Sequence, residues 1–369
     1  MSGMTTIRWL DNFARMSGTL RPLAAAVLPF GLVAVMACGG GGGGGDDGDD
    51  DDGTVVTDWE IVQQDLPGAL FSVWGTAADD IWTVGGDPDG AGPSVMHYDG
   101  TDWQALDSGS PGDLWWVFGP ETSAGGTVYM GGDGGRILAY RDGTFTPMET
   151  PRTDVVVFGI WGCGPDDMWA VGGALGGASG GFAWRLEPGE GDEPGRWIDA
   201  PGFPAEVAAD DAVWKAYGRS CDDVWLVGTD GLVVHWDGAA FAADRVGGES
   251  LFTVHASGDR FAAVGGFGTG LLLENEGGDW VDVSPEDSSP LVGVCLTESG
   301  GVAVGQFGTV AERDGAGPGA TWTKTDTGLF VDQTLHSVWV DPTGDVWAVG
   351  GQVLNAPFVN GLMLHRKGR

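Results

Sequence analysis

LFSVWGTAADDIWTVGG (residues 70–86) and VMHYDGTDW (95–103), which follows it, decide how the chain folds. Two runs of branched and aromatic residues, 70–74 and 80–84, flank a short polar turn. A third run, Val95–Tyr98, is separated from a fourth, Asp102–Ala105, by Asp99-Gly100, a hairpin signal in which both positions take positive φ. Each run is strand-sized, so the unit reads as four short strands. It recurs as FGIWGCGPDDMWAVGG from Phe158, KAYGRSCDDVWLVGTDGLVVHWDGAAF from Lys215 and LHSVWVDPTGDVWAVGG from Leu335. More degenerate copies begin at Thr127, Arg260 and Gly301.

One glycine anchors each copy: Gly85, Gly131, Gly172, Gly228, Gly265, Gly305 and Gly350, at intervals of 46, 41, 56, 37, 40 and 45. Seven such copies fill residues 56–369 and leave no room for a second domain. Helical periodicity is nearly absent, the closest stretch being 204–216. A four-stranded sheet of this size cannot bury both faces alone, whereas sheets packed radially cover one another. The expectation is an all-β chain with a single β-propeller at 56–369, of seven four-stranded blades, with six to eight bracketing the count because the sixth copy is degenerate. The last copy lacks a fourth strand, and a surplus strand-like segment, 58–62, precedes the first. Trp59 and Trp103 lie 44 residues apart, one repeat, so 58–62 should complete the seventh blade and close the ring. Seventeen of the eighteen tryptophans fall in the repeats, at recurrent positions such as Trp82, Trp169, Trp225 and Trp347. That recurrence favours a packing role for at least 12 of them over a row of sugar platforms.

Seventeen Lys plus Arg stand against 53 Asp plus Glu, a net charge of -36, which excludes a phosphate backbone as partner. Only three lysines are present: Lys215, Lys324 and Lys367. Residues 22–36 form an uncharged apolar run, too short for a membrane span of roughly 20 residues and right for a signal peptide. Val35-Met36-Ala37-Cys38 resembles a bacterial lipobox. The resemblance implies a signal peptide at 1–37, lipid on Cys38, and, with Gly39 rather than Asp following, the outer membrane or cell surface. Residues 38–55 hold seven consecutive glycines and DDGDDDDG, which cannot bury apolar area and read as a tether.

Signals for chemistry are poor. No HExxH, P-loop, GxSxG or zinc-spaced Cys/His set occurs, and no cofactor is expected. Calcium is the single ion with a candidate, the acidic turn Asp87-Pro88-Asp89-Gly90. His97, His235 and His365 share one position of the repeat and read as structural. The pairs Asp79-Asp80, Asp166-Asp167 and Asp222-Asp223 read as turn residues that accept backbone N–H groups. Cys163 and Cys221 lie in equivalent loops of adjacent units; they form a disulfide if their Cα atoms come within about 7 Å. Cys295 aligns with Trp74 and reads as buried. The loops joining the second to the third strand and one blade to the next share a face, with insertions at 86–94, 173–181 and 186–212, where a binding surface is expected.

The unit LxxVWGxxxxDVWAVG with its closing G…W strand resembles repeats of predicted surface lipoproteins from myxobacteria and related deltaproteobacteria. It is carried by Val73-Trp74-Gly75 with Asp80–Gly85, and by Val338-Trp339 with Asp345–Gly350. It is faintly similar to kelch, BNR-type and photosystem-assembly propellers, but lacks sialidase boxes and WD40 signatures. The resemblance implies a monomeric, non-catalytic surface lipoprotein binding a protein, glycan or matrix component, attached to the membrane only through its lipid. A polysaccharide hydrolase or lyase with its site in the central funnel, and a purely structural scaffold, are the alternatives.

Overall fold

The computed structural model describes residues 58–120, 126–174, 179–189 and 195–368. The expected signal peptide at 1–37, Cys38 and the expected tether at 38–55 lie outside them. Twenty-eight strands, numbered β1 to β28 along the chain, form seven four-stranded antiparallel sheets. The inner strands are β2 (Leu70–Ala77), β6 (Leu114–Phe118), β10 (Val155–Gly164), β14 (Val213–Ser220), β18 (Leu251–Ser257), β22 (Leu291–Thr297) and β26 (Thr334–Val340). Each touches the next, and β26 touches β2, so the ring is closed. The chain is a seven-bladed propeller.

The repeated glycine has a steric cause. Near the end of the second strand of each blade, a Cβ on the glycine would sit about 2 Å from the backbone carbonyl of the residue just before its partner on the inner strand: 2.0 Å from Ala69 O at Gly85, 1.9 Å from Val156 O at Gly172 and 1.9 Å from Ser250 O at Gly265. Gly228, Gly305 and Gly350 meet the equivalent carbonyls. In blade 2 the equivalent residue is Gly132, not Gly131 as the repeat alignment had it, because it is Gly132 that pairs with Leu114 and faces Asp113 O at 2.1 Å. In five blades the amide after the glycine donates to that carbonyl at 2.8–3.1 Å, for example Gly86 N to Ala69 O.

Immediately after this contact every inner strand bulges. The register shifts across Phe71, Trp115, Phe158, Trp214, Phe252, Val292 and His336, one residue per blade. A bulge re-aims a side chain, and several of these meet around the axis.

The V-W-G motif is an inter-blade joint. A Cβ at Gly119 would lie 2.5 Å from Trp74 of the preceding blade; Gly218 stands in the same relation to Trp161, and Gly75 to Trp339 across the closure. Where the preceding blade carries a smaller group, the glycine is replaced: Leu296 follows His255, whose Nδ1 accepts from Leu296 N at 3.1 Å. Gly119→Leu should therefore cost about 1–3 kcal/mol by overpacking. Adding Trp74→His should return part of that loss, giving a coupling of at least about 0.5 kcal/mol in a urea double-mutant cycle. Strictly additive losses would mean that the two positions do not share the joint.

Ring closure runs through β1 (Trp59–Gly68), which pairs antiparallel with β28 (Val359–Arg366), Trp59 opposite Arg366 and Gly68 opposite Val359. The closing strand is longer than 58–62 because two register shifts let it follow β28 past Gln63. Trp59 is buried against residues of blades 6 and 7. All seventeen described tryptophans are buried or half-buried, in keeping with a packing role.

The hairpins are less uniform than their shared Asp-Gly implied. Only Asp142-Gly143 places both residues at positive φ, 49° and 80°, between paired Arg141 and Thr144. At Asp99 and Asp237 the loop holds four residues, and the carboxylate itself caps it by accepting two backbone N–H groups at 2.8–3.0 Å. The insertion 186–212 contains the fourth strand of blade 3 (Arg196–Asp199) and the one α-helix among the described residues, α1 (Ala205–Asp210).

Candidate functional site

The channel differs at its two ends. At the end carrying the blade-to-blade loops, the bulged aromatics close it. Phe71 stacks on Trp115 at 4.2 Å, Trp115 meets Phe158 edge-on at 5.6 Å, and Phe158 leans on Trp214 at 4.8 Å. Val353 and Phe358, from the long loop of blade 7, pack onto the same cluster. At the opposite end a funnel of about 1280 Å³ opens, lined in part by Trp74, Trp161, Tyr217 and Trp339.

Four of the six large hydrophobic residues exposed among the described residues lie around the plugged end. Phe267, Phe307, Phe330 and Leu354 are exposed, Phe330 by 90% and Phe307 by 67%. All four sit in loops of this one face. Phe307 holds φ at 56°, a left-handed conformation costly for a bulky side chain. The matching position in blade 4 is Asp230, at φ 49°, a residue that tolerates it. Phe307 buries little in return for that cost.

The same face carries Asp87, Asp113, Asp133 and Arg136. Both oxygens of Asp87 are taken by backbone amides, of Gly92 at 2.9 Å and Gly112 at 2.7 Å, while Asp89 accepts from Ala91 N. Asp113 accepts from Asp87 N, and Asp133 from the Trp115 indole at 3.1 Å. The Arg136 guanidinium is held by Ser110, Pro111 and Gly112. Burial, helped by the neighbouring carboxylates of Asp133 and Asp87, pushes Asp113 up to about 6.

The histidines and the aspartate pairs, read separately from sequence, belong together. The second Asp of each pair reaches across to the third strand: Asp80 to His97 Nε2 at 2.7 Å, Asp223 to His235 at 2.8 Å and, in blade 7, Asp345 to His365 at 2.9 Å. The imidazole lies on the tryptophan two residues after that Asp, 4.0 Å from Trp82 in blade 1. Blade 3 substitutes Arg185, paired with Asp167 at 2.5 Å and stacked on Trp169 at 4.1 Å. Asp80, Asp167 and Asp223 are thus acceptors for side chains, a correction to the backbone N–H acceptance that their turn position implied. The His97 bond holds Asp80 below the usual carboxylate range. Cys163 and Cys221 are joined as a disulfide between blades 3 and 4, their Cα atoms 5.4 Å apart. Cys295 is buried and free, its thiol raised to about 11 by burial.

His255 and His336 have no part in that triad, and burial lowers both to about 3. Unfolded imidazoles take up protons below about 6.5 and these do not, so their stabilisation is full above 6.5 and drains as pH falls toward 3. Asp113 works the other way, since its folded carboxyl protonates first; it returns stability as pH falls from about 6 toward 3.8. With each histidine losing about 1–2 kcal/mol by pH 5 and Asp113 restoring about 1, the net expectation is a lower urea midpoint at pH 5 than at pH 7. An unchanged midpoint would contradict both assignments.

The sequence matches no protein-family model and no curated protein. Solved structures do match it. The β-propeller domain of Cps50 (Swd1) from Myceliophteria thermophila has a TM-score of 0.58 at 11% identity, over 84% of this chain and 99% of that one. YCF48, in a structure bound to a D1 peptide, has a TM-score of 0.60 at 14% identity over 84% and 95%. The WD40 β-propeller domain of Doa1 has 0.57 at 12% over 83% and 97%. What they share with this chain is the β-propeller fold. Sequence reasoning singled out this face for a binding surface and missed the aromatic residues that it carries. A sevenfold alignment of the residue that bulges reads Phe, Trp, Phe, Trp, Phe, Val, His, and that line was the available signal.

Proposed function

We propose that this chain is a non-catalytic binding propeller of the bacterial cell surface, anchored through lipid on Cys38, that takes a protein or glycan on the face of the blade-to-blade loops. The observation that carries the reading is the exposure of Phe267, Phe307, Phe330 and Leu354 in loops of one face, with Phe307 in a costly backbone conformation. Exposed apolar clusters with a polar rim mark interaction sites, and stored backbone strain is found at such sites. The anchor fits the orientation. β1 begins beside Arg366, on the rim opposite this face, so the point where the chain enters the propeller leaves the aromatic face unobstructed. The peptide bound by YCF48 makes a polypeptide the first class of partner to try.

The test is a binding screen of the purified chain against surface glycans and outer-membrane proteins, alongside Phe267→Ser/Phe307→Gly/Phe330→Ser. Saturable binding lost in the triple variant, with its circular dichroism unchanged, supports the face; binding equal in both chains refutes it. Cys38→Ala should release the protein from the membrane fraction, and retention there would refute the anchor.

A hydrolase or lyase acting at this face has one observation in its favour, the gathering of Asp87, Asp113 and Asp133 with Arg136 and the raised carboxyl of Asp113. Against it, these groups bond mainly to the loops that carry them. Asp113→Asn would remove turnover of a polysaccharide if that reading held.

A further inference from the structure

In a chain with 53 acidic residues, Lys215 is buried with no carboxylate paired to it among the described residues. It stands on β14, next to the bulged Trp214, and is 5% exposed. Its Nζ donates to Phe158 O at 2.7 Å and lies 4.4 Å from the centre of the Trp116 ring. Those are the partners of its ammonium among the described residues, so two of the three donors have no oxygen or nitrogen acceptor from the protein.

Lys215 lines an axial cavity of about 70 Å³ on the plugged side of the channel, walled by Phe158, Trp214 and Phe252 and bordered by Gln306 and His336. His336 Nδ1 donates to Phe71 O at 2.6 Å. It is the titratable side chain facing Lys215, and its lowered pKa keeps it neutral at physiological pH, so it supplies no counter-charge. The cavity has about half the ~150 Å³ that accommodates benzene. Apolar walls, one buried cation and a small volume together define a ligand class.

We infer that the axial cavity binds a short-chain carboxylate, of two to four carbons, whose charge pairs with the Lys215 ammonium while its alkyl group packs on the aromatic walls. The same chemistry is available from a free acid or from the C-terminal carboxylate of a polypeptide. A buried cation lacking a partner is unfavourable, and burial has lowered Lys215 to about 7. A carboxylate in the cavity reverses that shift. Because it pairs an ionised carboxylate with the protonated lysine, affinity should be flat near about pH 6, where both are charged, and fall about tenfold per pH unit well above 7. The site rests on the axial cavity and does not require the exposed phenylalanines to be a partner surface.

The experiment is a propionate titration of the full chain, followed by NMR of the ε-CH₂ groups of its three lysines, with propionamide as the uncharged isostere. Expected are saturable shifts at Lys215 alone, an upward move of its titration midpoint by a unit or more, and about tenfold weaker binding at pH 8.5 than at 7.5. Lys215→Met should abolish the saturation. The inference is overturned if Lys215 titrates identically with and without propionate, if propionamide binds as well, or if folded Lys215→Met still binds. Should that variant fail to fold, the wild-type titration decides alone. A tripeptide acid compared with its amide distinguishes a polypeptide end from a free acid, binding by propionate alone marking the free acid. The Phe267/Phe307/Phe330 variant should keep propionate binding, so failure at the rim and failure in the cavity give different results.

Discussion

A chain lacking Trp59–Gly68 is expected to lose the single cooperative unfolding transition of the closed ring. The strand is the outer quarter of blade 7, and its removal leaves β28 as an edge with a row of unpaired amides and carbonyls. The milder variant Trp59→Ala isolates the packing contribution. The indole is 4% exposed, shares a core with Val302, Val304 and Val310 of blade 6 and Leu362 and Leu364 of blade 7, and carries the Arg366 guanidinium 5.6 Å above its ring. Truncating a buried tryptophan costs about 3–5 kcal/mol, and the deletion should cost more. Urea unfolding and light scattering check both: a lowered midpoint for Trp59→Ala, and aggregation or a broadened transition for the deletion. A deletion chain that unfolds at the wild-type midpoint would show that the ring does not depend on its clasp.

The second large effect is expected from the smallest possible change, Gly265→Ala. Its methyl group would fall 1.9 Å from Ser250 O, with the Ser250 carbonyl carbon at 2.9 Å and the Leu251 Cα at 3.0 Å. None of these is the end of a flexible side chain, so the backbone at the start of β18 must shift, and with it the bulge at Phe252. A cost of about 3 kcal/mol or more follows, at the upper end of overpacking. Gly143→Ala is the matched control. Its φ is 80°, so it pays the left-handed penalty, yet nothing lies within 4 Å of its Cβ, and about 1 kcal/mol is expected. Equal losses at the two positions would mean that conformational freedom, and not the close approach of two strands, selects the repeated glycine.

Most of the architecture was legible because a propeller writes its rule seven times. The Leu or Val that pairs with each terminal glycine, the V-W-G joint and the glycine itself recur with enough regularity to yield strand order, blade number and ring closure. Misreadings came where a local signal has two solutions. Asp99-Gly100 and Asp142-Gly143 look alike in sequence; whether Asp adopts positive φ or caps a wider loop depends on how far apart the strands are held, and Gly100 packs against Asp79 of the adjoining turn. Gly131 and Gly132 stand side by side, and only the pairing of Leu114 chooses between them. The site was harder for a different reason. Phe71, Trp115 and Phe158 are ordinary core residues in a linear reading. They become a channel lining through the bulge, an extra residue that no composition signal marks. Lys215 is likewise unremarkable until the surrounding acids prove to lie elsewhere.

The clasp sets the order of events when the chain folds. Within each of the first six blades the strands pair with near neighbours, over turns that close quickly, whereas Glu60 and His365 meet across 305 residues. One step of assembly is therefore non-local, and it is the sealing step. Until it occurs, β1 is an unpaired strand awaiting a docking edge, and blade 7 is an edge awaiting a strand. Two molecules held at high concentration in that state satisfy each other as readily as themselves, by exchanging β1 reciprocally. Crowding during production thus governs whether closed rings or swapped pairs accumulate, although the two share every strand-to-strand contact.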